Sequence, residues 1–252
     1  MINHKALGWI ELVVLTGLVI VYSWATYQRN FVWKDEFILW SDTAKKSSNK
    51  ARPHNNLASI HIENNQMEQA IAEAIIALRL RSKYPNPFIS IGEAYFQKGL
   101  FDNSLIFYQR ALRIRPDYPD AYLGIGNAYV KKGEMDLAIE AYKKVVELRP
   151  DNITARINLA AAYGSKGLVG KAITLLRYAL HIKPDSPDIH YNLGFAYEEL
   201  AKSLGENVTS YEKEDLMNKA VEHYKEAVRM NPDDIEARER LLKLMSKQPN
   251  TH

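Results

Sequence analysis

Two glycine-bearing stretches and a few histidines are the first places to look for chemistry in this 252-residue chain. Gly167-Leu168-Val169-Gly170-Lys171 has the glycines and lysine with which a phosphate loop cradles a nucleotide. Such a loop needs a further glycine at 165 and a magnesium-binding hydroxyl at 172, and these positions hold Ser165 and Ala172. Gly124-Ile125-Gly126 matches part of a dinucleotide loop, yet it falls inside a helical apolar pattern. His54 and His61 stand seven apart on one helix with no third ligand beside them, which reads as two helix-surface histidines rather than a metal site. There is no cysteine, which removes disulfides, thiolate nucleophiles and Cys-ligated zinc. No paired carboxylates and no Ser-His-Asp order stand out either. The expectation is a protein without catalytic residues, metal or cofactor, and with no small-molecule substrate. The polar type that does recur is asparagine, at Asn56, Asn127, Asn158 and Asn192. A side-chain amide both donates and accepts, so it can pair with the backbone of an extended peptide.

The elements that hold these residues follow a strict period. Glycines 99, 133 and 167 lie 34 residues apart, as do prolines 116, 150 and 184 and tyrosines 95, 129 and 163. Within residues 119–152 the pattern is two amphipathic helices joined at Lys132-Gly133. A 34-residue helix-turn-helix period resembles the tetratricopeptide repeat family. The resemblance implies an all-α, right-handed solenoid of five repeats at 51–84, 85–118, 119–152, 153–186 and 187–234, with a C-terminal capping helix and tail over 235–252. Repeat position 8 (Ala58, Gly92, Gly126, Ala160, Gly194) and position 20 (Ala70, Ser104, Ala138, Ala172, Ala220) are small, which lets paired helices approach closely. Leu57, Ile91, Ile125, Leu159 and Leu193, with Ala74, Tyr108, Tyr142, Leu176 and Tyr224, fill the seam. The first repeat departs from the pattern, with Asn65 at the turn glycine and Ser82 at the closing proline. The fifth carries 14 extra residues near 201–216. Thr209 and Glu212 have capping-box spacing, so its second helix is expected to start there and both helices to lengthen around Gly205-Glu206-Asn207. Beyond it, Leu241, Leu242 and Met245 are the expected apolar stripe of the cap.

In the family that the repeats resemble, positions 2, 5, 6, 9, 12 and 13 of each first helix line a concave groove. That resemblance nominates Asn56, Ile89, Leu123, Asn127, Ile157, Asn158, Tyr191 and Asn192 as peptide-binding residues, an apolar row beside a row of amides. Asn56, Asn158 and Asn192 resemble the asparagine ladder of O-linked N-acetylglucosamine transferases, interrupted by Ser90 and Gly124. A carboxylate-clamp array for chaperone tails would need basic residues where Leu123, Asp188 and Asn192 stand. The implied partner is a protein or extended peptide. A net charge of +3 spread through the helices gives no stripe for nucleic acid.

After a flank of residues 1–5, residues 6–27 are mostly apolar, roughly 33 Å as a helix and close to the ~30 Å hydrocarbon core of a bilayer. The expectation is a single transmembrane helix, with a cleaved signal peptide and a buried helix as alternatives. Trp33, Phe37, Trp40 and Ala44 then share one helical face of an amphipathic linker or cap over 28–50. The pattern Arg29-Asn30, Trp33, Glu36, Leu39-Trp40, Lys50-Ala51-Arg52 and Asn56-Leu57 resembles the segment after the last span of transmembrane and tetratricopeptide repeat-containing proteins. Those are membrane glycosyltransferase-like proteins of the O-mannosyltransferase type. The resemblance implies an array outside the cytoplasm, periplasmic in a bacterium. It leaves two readings open, an anchored scaffold or the recognition half of a glycosyltransferase whose catalytic spans are absent from this chain. An array facing the cytoplasm is a third, because the charges flanking 6–27 are nearly balanced.

Overall fold

The structure, a computed structural model, describes residues 14–24, 26–27, 35–204 and 209–246, and every regular element among them is helical. The chain divides into two compact units, residues 1–99 and 100–252. The first holds α1 (Glu36–Lys46), α2 (Ala51–Glu63), α3 (Met67–Leu80) and α4 (Asn86–Gln97). The second holds α5 (Phe101–Ile114), α6 (Pro119–Lys132), α7 (Met135–Leu148), α8 (Ile153–Ser165), α9 (Val169–Ile182), α10 (Pro187–Ser203), α11 (Ser210–Met230) and α12 (Ile235–Met245).

Local chemistry sets the ends of these helices. Asp35, Asn152 and Asp234 each accept a hydrogen bond from the backbone N–H three residues on, at 2.9–3.0 Å, satisfying donors that a helix start leaves orphaned. Thr209 and Glu212 form the expected capping box, and the insertion does lengthen both helices, to 17 residues in α10 and 21 in α11. The turns repeat one backbone device. Gly99, Gly133 and Gly167 have φ of 75°, 78° and 73°, and Asn65, in the same register, has φ 57°. Asparagine is among the few residues that tolerate this left-handed conformation, so the degenerate first repeat keeps the turn without its glycine.

Within each unit the small and large positions interlock. Ala70, Ser104, Ala138 and Ala220 are fully buried, and the seam rings of Tyr108, Tyr142 and Tyr224 are only 0–2% exposed. A Cβ on Gly126 would lie 2.4 Å from the Tyr142 ring and one on Gly194 2.9 Å from the Tyr224 ring, so these helix crossings need glycine. Gly124, counted as a groove position, is instead covered by Tyr108, whose ring a Cβ on Gly124 would approach to 2.4 Å. The second unit's core gathers Ile139, Tyr142, Leu159, Tyr163, Leu176 and Leu193.

Two recurrent devices escaped the sequence reading. Lys98, Lys132 and Lys166 each reach back 30 residues, to Glu68, Asp102 and Asp136 at 2.7–3.0 Å, tying one turn to the preceding second helix. Pro150, Pro184 and Pro232 each have their carbonyl capped from six residues on, by Arg156, His190 and Arg238. That side chain satisfies an acceptor in the loop between repeats, where no helix partner exists.

The terminal expectations need correction. The span expected over 6–27 falls partly outside the described residues. Among those described, no helix is long and apolar enough to cross a membrane. The placement as a single-pass membrane protein with an extracytoplasmic array is therefore overturned, and a bilayer partner is left without support. The helix expected within 28–50 begins only at Glu36, capped by Asp35, and Trp33 lies outside the described residues. Of its apolar face Ala44 is buried, while Phe37 is 42% exposed with its ring edge on His61. At the other end Leu244, with half-buried Leu241, packs on Val221 and Tyr224. Leu242 and Met245, expected in the stripe, are exposed because the helix turns its Ala237–Leu241–Leu244 face inward.

Candidate partner-binding site

In the second unit α8, α10 and α12 are equivalent first helices of successive repeats, and their N-terminal halves enclose a depression of about 390 Å³. Ile157 and Asn158 of α8 and Tyr191 and Asn192 of α10 line it, so four of the eight nominated residues meet in one place. The walls are completed by Thr154, Asp188, Asp234 and Glu236. Adjacent helical residues point about 100° apart, which puts an apolar and an amide side chain from each helix on the same rim.

Hydrogen bonds fix most of these groups. Tyr191 donates its hydroxyl to Glu236 and accepts from Arg240 Nε at 3.1 Å. Burial and that donation push the Tyr191 phenol up to about 12. Arg240 also reaches Glu198 at 3.4 Å. Glu198 is 3% exposed, accepts from Tyr224 at 3.0 Å and pairs with Lys202 at 2.6 Å. Burial alone would raise its pKa, but the donors and charges of Lys202, Tyr224 and Arg240 together hold it below the usual carboxylate range. Asn192 Nδ2 donates to the Asp188 carbonyl at 2.7 Å. Asn158 Nδ2 donates to Asn127 Oδ1 at 3.2 Å, and that oxygen also accepts from the Tyr142 hydroxyl at 2.7 Å. The nominated amides are thus half committed to the framework rather than fully presented to solvent.

A second hollow, of about 260 Å³, lies farther along α8 and α10, with α9 as its third wall, and shares Asn192 with the first. Ala161, Gly164, Val169, Leu176 and Phe195 give it apolar walls, with Ser165 and Glu199 also lining it.

The remaining nominees are not gathered here. Leu123 is half-buried against the core of the second unit. Asn56 on α2 and Ile89 on α4 belong to the first unit, each half-buried. The sequence reading missed Asp234, Glu236 and Gly164, although Glu236 repeats position 2 and Gly164 is position 12, both in the groove set.

The chemical candidates set aside at the outset have structural partners. His54 pairs with Glu73 and His61 with Gln66, both at 2.6 Å. Gly167 forms the α8–α9 turn, and Lys171 Nζ lies 5.5 Å from the centre of the Tyr163 ring. Among the described residues no group of three His, Cys, Asp or Glu side chains could hold a metal ion.

Comparison with known proteins agrees with the repeat architecture. A family model described as TPR repeat matches residues 92–133, 126–167 and 165–200, and one described as tetratricopeptide repeat matches 209–234. No curated protein matches the chain. Among solved structures, YrrB, described as a TPR protein with an unusual peptide-binding site, is 22% identical over 80% of this chain and 96% of its own, with a TM-score of 0.57. TTC0263, a thermophilic TPR protein of Thermus thermophilus, is 19% identical over 78% and 99%, also at 0.57. The Cut9-Hcn1 hetero-tetramer of the APC/C gives 0.70 at 18% identity, over 86% of this chain and 40% of that one. At these identities the likeness is one of fold. None of these is a membrane glycosyltransferase, and the resemblance of residues 29–56 to that family has no support from them. The 34-residue period, the left-handed turn in four successive repeats and the two family models together make this chain a tetratricopeptide repeat protein.

Proposed function

We propose that this chain is a non-enzymatic scaffold that holds a protein, through an extended peptide segment, against the first helices of its repeats. The observation that carries this reading is the depression between α8, α10 and α12, where Ile157, Asn158, Tyr191 and Asn192 converge. It presents an apolar row, a ring and amides, groups that grip an extended peptide through its backbone and its side chains. Leu123 and Asn127 serve the same face in the second unit, and Asn56 and Ile89 in the first. The fold likeness to YrrB, a protein described by its peptide-binding site, supports a peptide as the kind of partner.

The test is selection of binders to the full chain from a random-peptide phage library, followed by affinity measurement on Asn158→Ala with Asn192→Ala. The expected result is a loss of about tenfold, roughly 1.4 kcal/mol, with helical circular dichroism unchanged. Selected peptides that bind the double variant as well as the parent would remove these residues from the partner site.

A further inference from the structure

The two hollows that share Asn192 differ in chemistry. The larger one has three carboxylates on its walls, Asp188, Asp234 and Glu236. Arg240, a cation beside it, is already engaged by Glu198, Glu236 and Tyr191. A concave site lined by one sign of charge concentrates ligands of the opposite sign, and the half-buried Tyr191 ring adds a face on which a cation can rest. The smaller hollow exists because one side chain is missing. Its register, position 12, is Ile62, Phe96, Val130 and Glu198 in the other repeats and Gly164 here. A Cβ built on Gly164 meets nothing within 4 Å, so the glycine serves no close crossing and leaves open apolar space. An apolar group entering against Ala161, Val169, Leu176 and Phe195 buries apolar surface on both sides.

We propose that the bound segment carries a lysine or arginine side chain in the carboxylate-lined cup and a bulky apolar side chain in the Gly164 hollow. This rests on the peptide-holding role proposed above and adds the chemistry of the partner. From Asp188 to Phe195 is seven residues of α10, roughly 10 Å along its axis, or about three residues of a polyproline II-like extended chain at ~3.1 Å each, whose three-residue turn brings both side chains to the same side. The two side chains therefore sit about three residues apart on the partner. Charge complementarity sets the cup's choice, and the volume vacated at Gly164 sets that of the hollow.

The composition of peptides selected on the full chain tests this. The parent should enrich Lys or Arg at one position and Leu, Ile, Met or Phe about three positions away. Gly164→Phe should weaken the parent's peptides by about tenfold or more and erase the apolar preference, while Gly164→Ala keeps both. Should Gly164→Phe lose helical content, Gly164→Val, the side chain already present in this register at Val130, takes its place. Asp188→Lys should erase the basic preference while leaving the apolar one. Peptides that depend on Asn158 and Asn192 but show neither preference would overturn this inference and leave the partner site standing. Peptides indifferent to Asn158 and Asn192 would overturn both.

Discussion

Asn158 Nδ2 donates to Asn127 Oδ1 at 3.2 Å, joining α8 to α6 through two amides of consecutive repeats. The same oxygen accepts from the Tyr142 hydroxyl, whose ring is 2% exposed. The groove and the core are therefore one hydrogen-bonded system at this point, and burial pushes the Tyr142 phenol up to about 12.

The two amides should differ in what they contribute. Asn127→Ala removes the acceptor of a buried hydroxyl and should cost about 1–3 kcal/mol. Asn158→Ala leaves Asn127 Oδ1 bonded to Tyr142 and should cost less than about 1 kcal/mol. Urea denaturation of each variant decides the point. Equal losses would show that Asn127 does not bridge core and groove.

Glycine-to-alanine exchange should change sign along one face. In Gly126→Ala the new methyl meets the buried Tyr142 ring at 2.4 Å, and overpacking of that kind costs about 1–3 kcal/mol. In Gly164→Ala it meets nothing within 4 Å, so helix propensity alone acts and the variant should gain about 0.5–1 kcal/mol. Thermal melts in parallel read both. A destabilised Gly164→Ala would mean that the hollow is not open.

The stability of the last hairpin should depend on pH through His223. His190 Nε2 donates to the Pro184 carbonyl at 3.2 Å, which leaves its Nδ1 to accept from His223 at 3.0 Å. His223 also stacks on Tyr197, with ring centres 5.7 Å apart. Burial, and next the neighbouring His190, push His223 down to about 4, with Glu226 opposing. Between pH ~6.5 and ~4 the unfolded chain then binds more protons than the folded one, so stability falls as pH drops through that window, by roughly 2–3 kcal/mol. Thermal melts at pH 7 and 4.5 of the parent and His223→Gln check this. The parent should lose more, and identical losses would clear the histidine pair of the effect.

Much of the framework could be read from residue types alone, because a repeat states its constraints several times over. Asn65 falls in the turn register of Gly99, Gly133 and Gly167, and its φ of 57° is the one that register demands. Thr209 and Glu212 announce a helix start across an insertion that has no counterpart in the other repeats. The seam residues Tyr108, Tyr142 and Tyr224 are as buried as their position requires. The N-terminal stretch misled for the opposite reason. Apolar composition over 6–27 states no period and no partner, and among the described residues no helix is long and apolar enough to cross a membrane.

The partner site divides along the same line. Periodicity assigned Ile157, Asn158, Tyr191 and Asn192 to one face, because residues 34 apart repeat the same angle about successive parallel helices. It could not tell which amides would turn to each other, as Asn127 and Asn158 do, since a side-chain pair depends on distances between helices. Nor could it show that Asp188 and Glu236 close one cup, because the insertion puts them 48 residues apart rather than 34. The hollow at Gly164 is a volume, the difference between what α8, α9 and α10 enclose and what their side chains fill. The order of residues determined the repeat, its turns and which residues share one face of successive first helices. Only the packing of neighbouring helices decided where that face is charged and where it is empty.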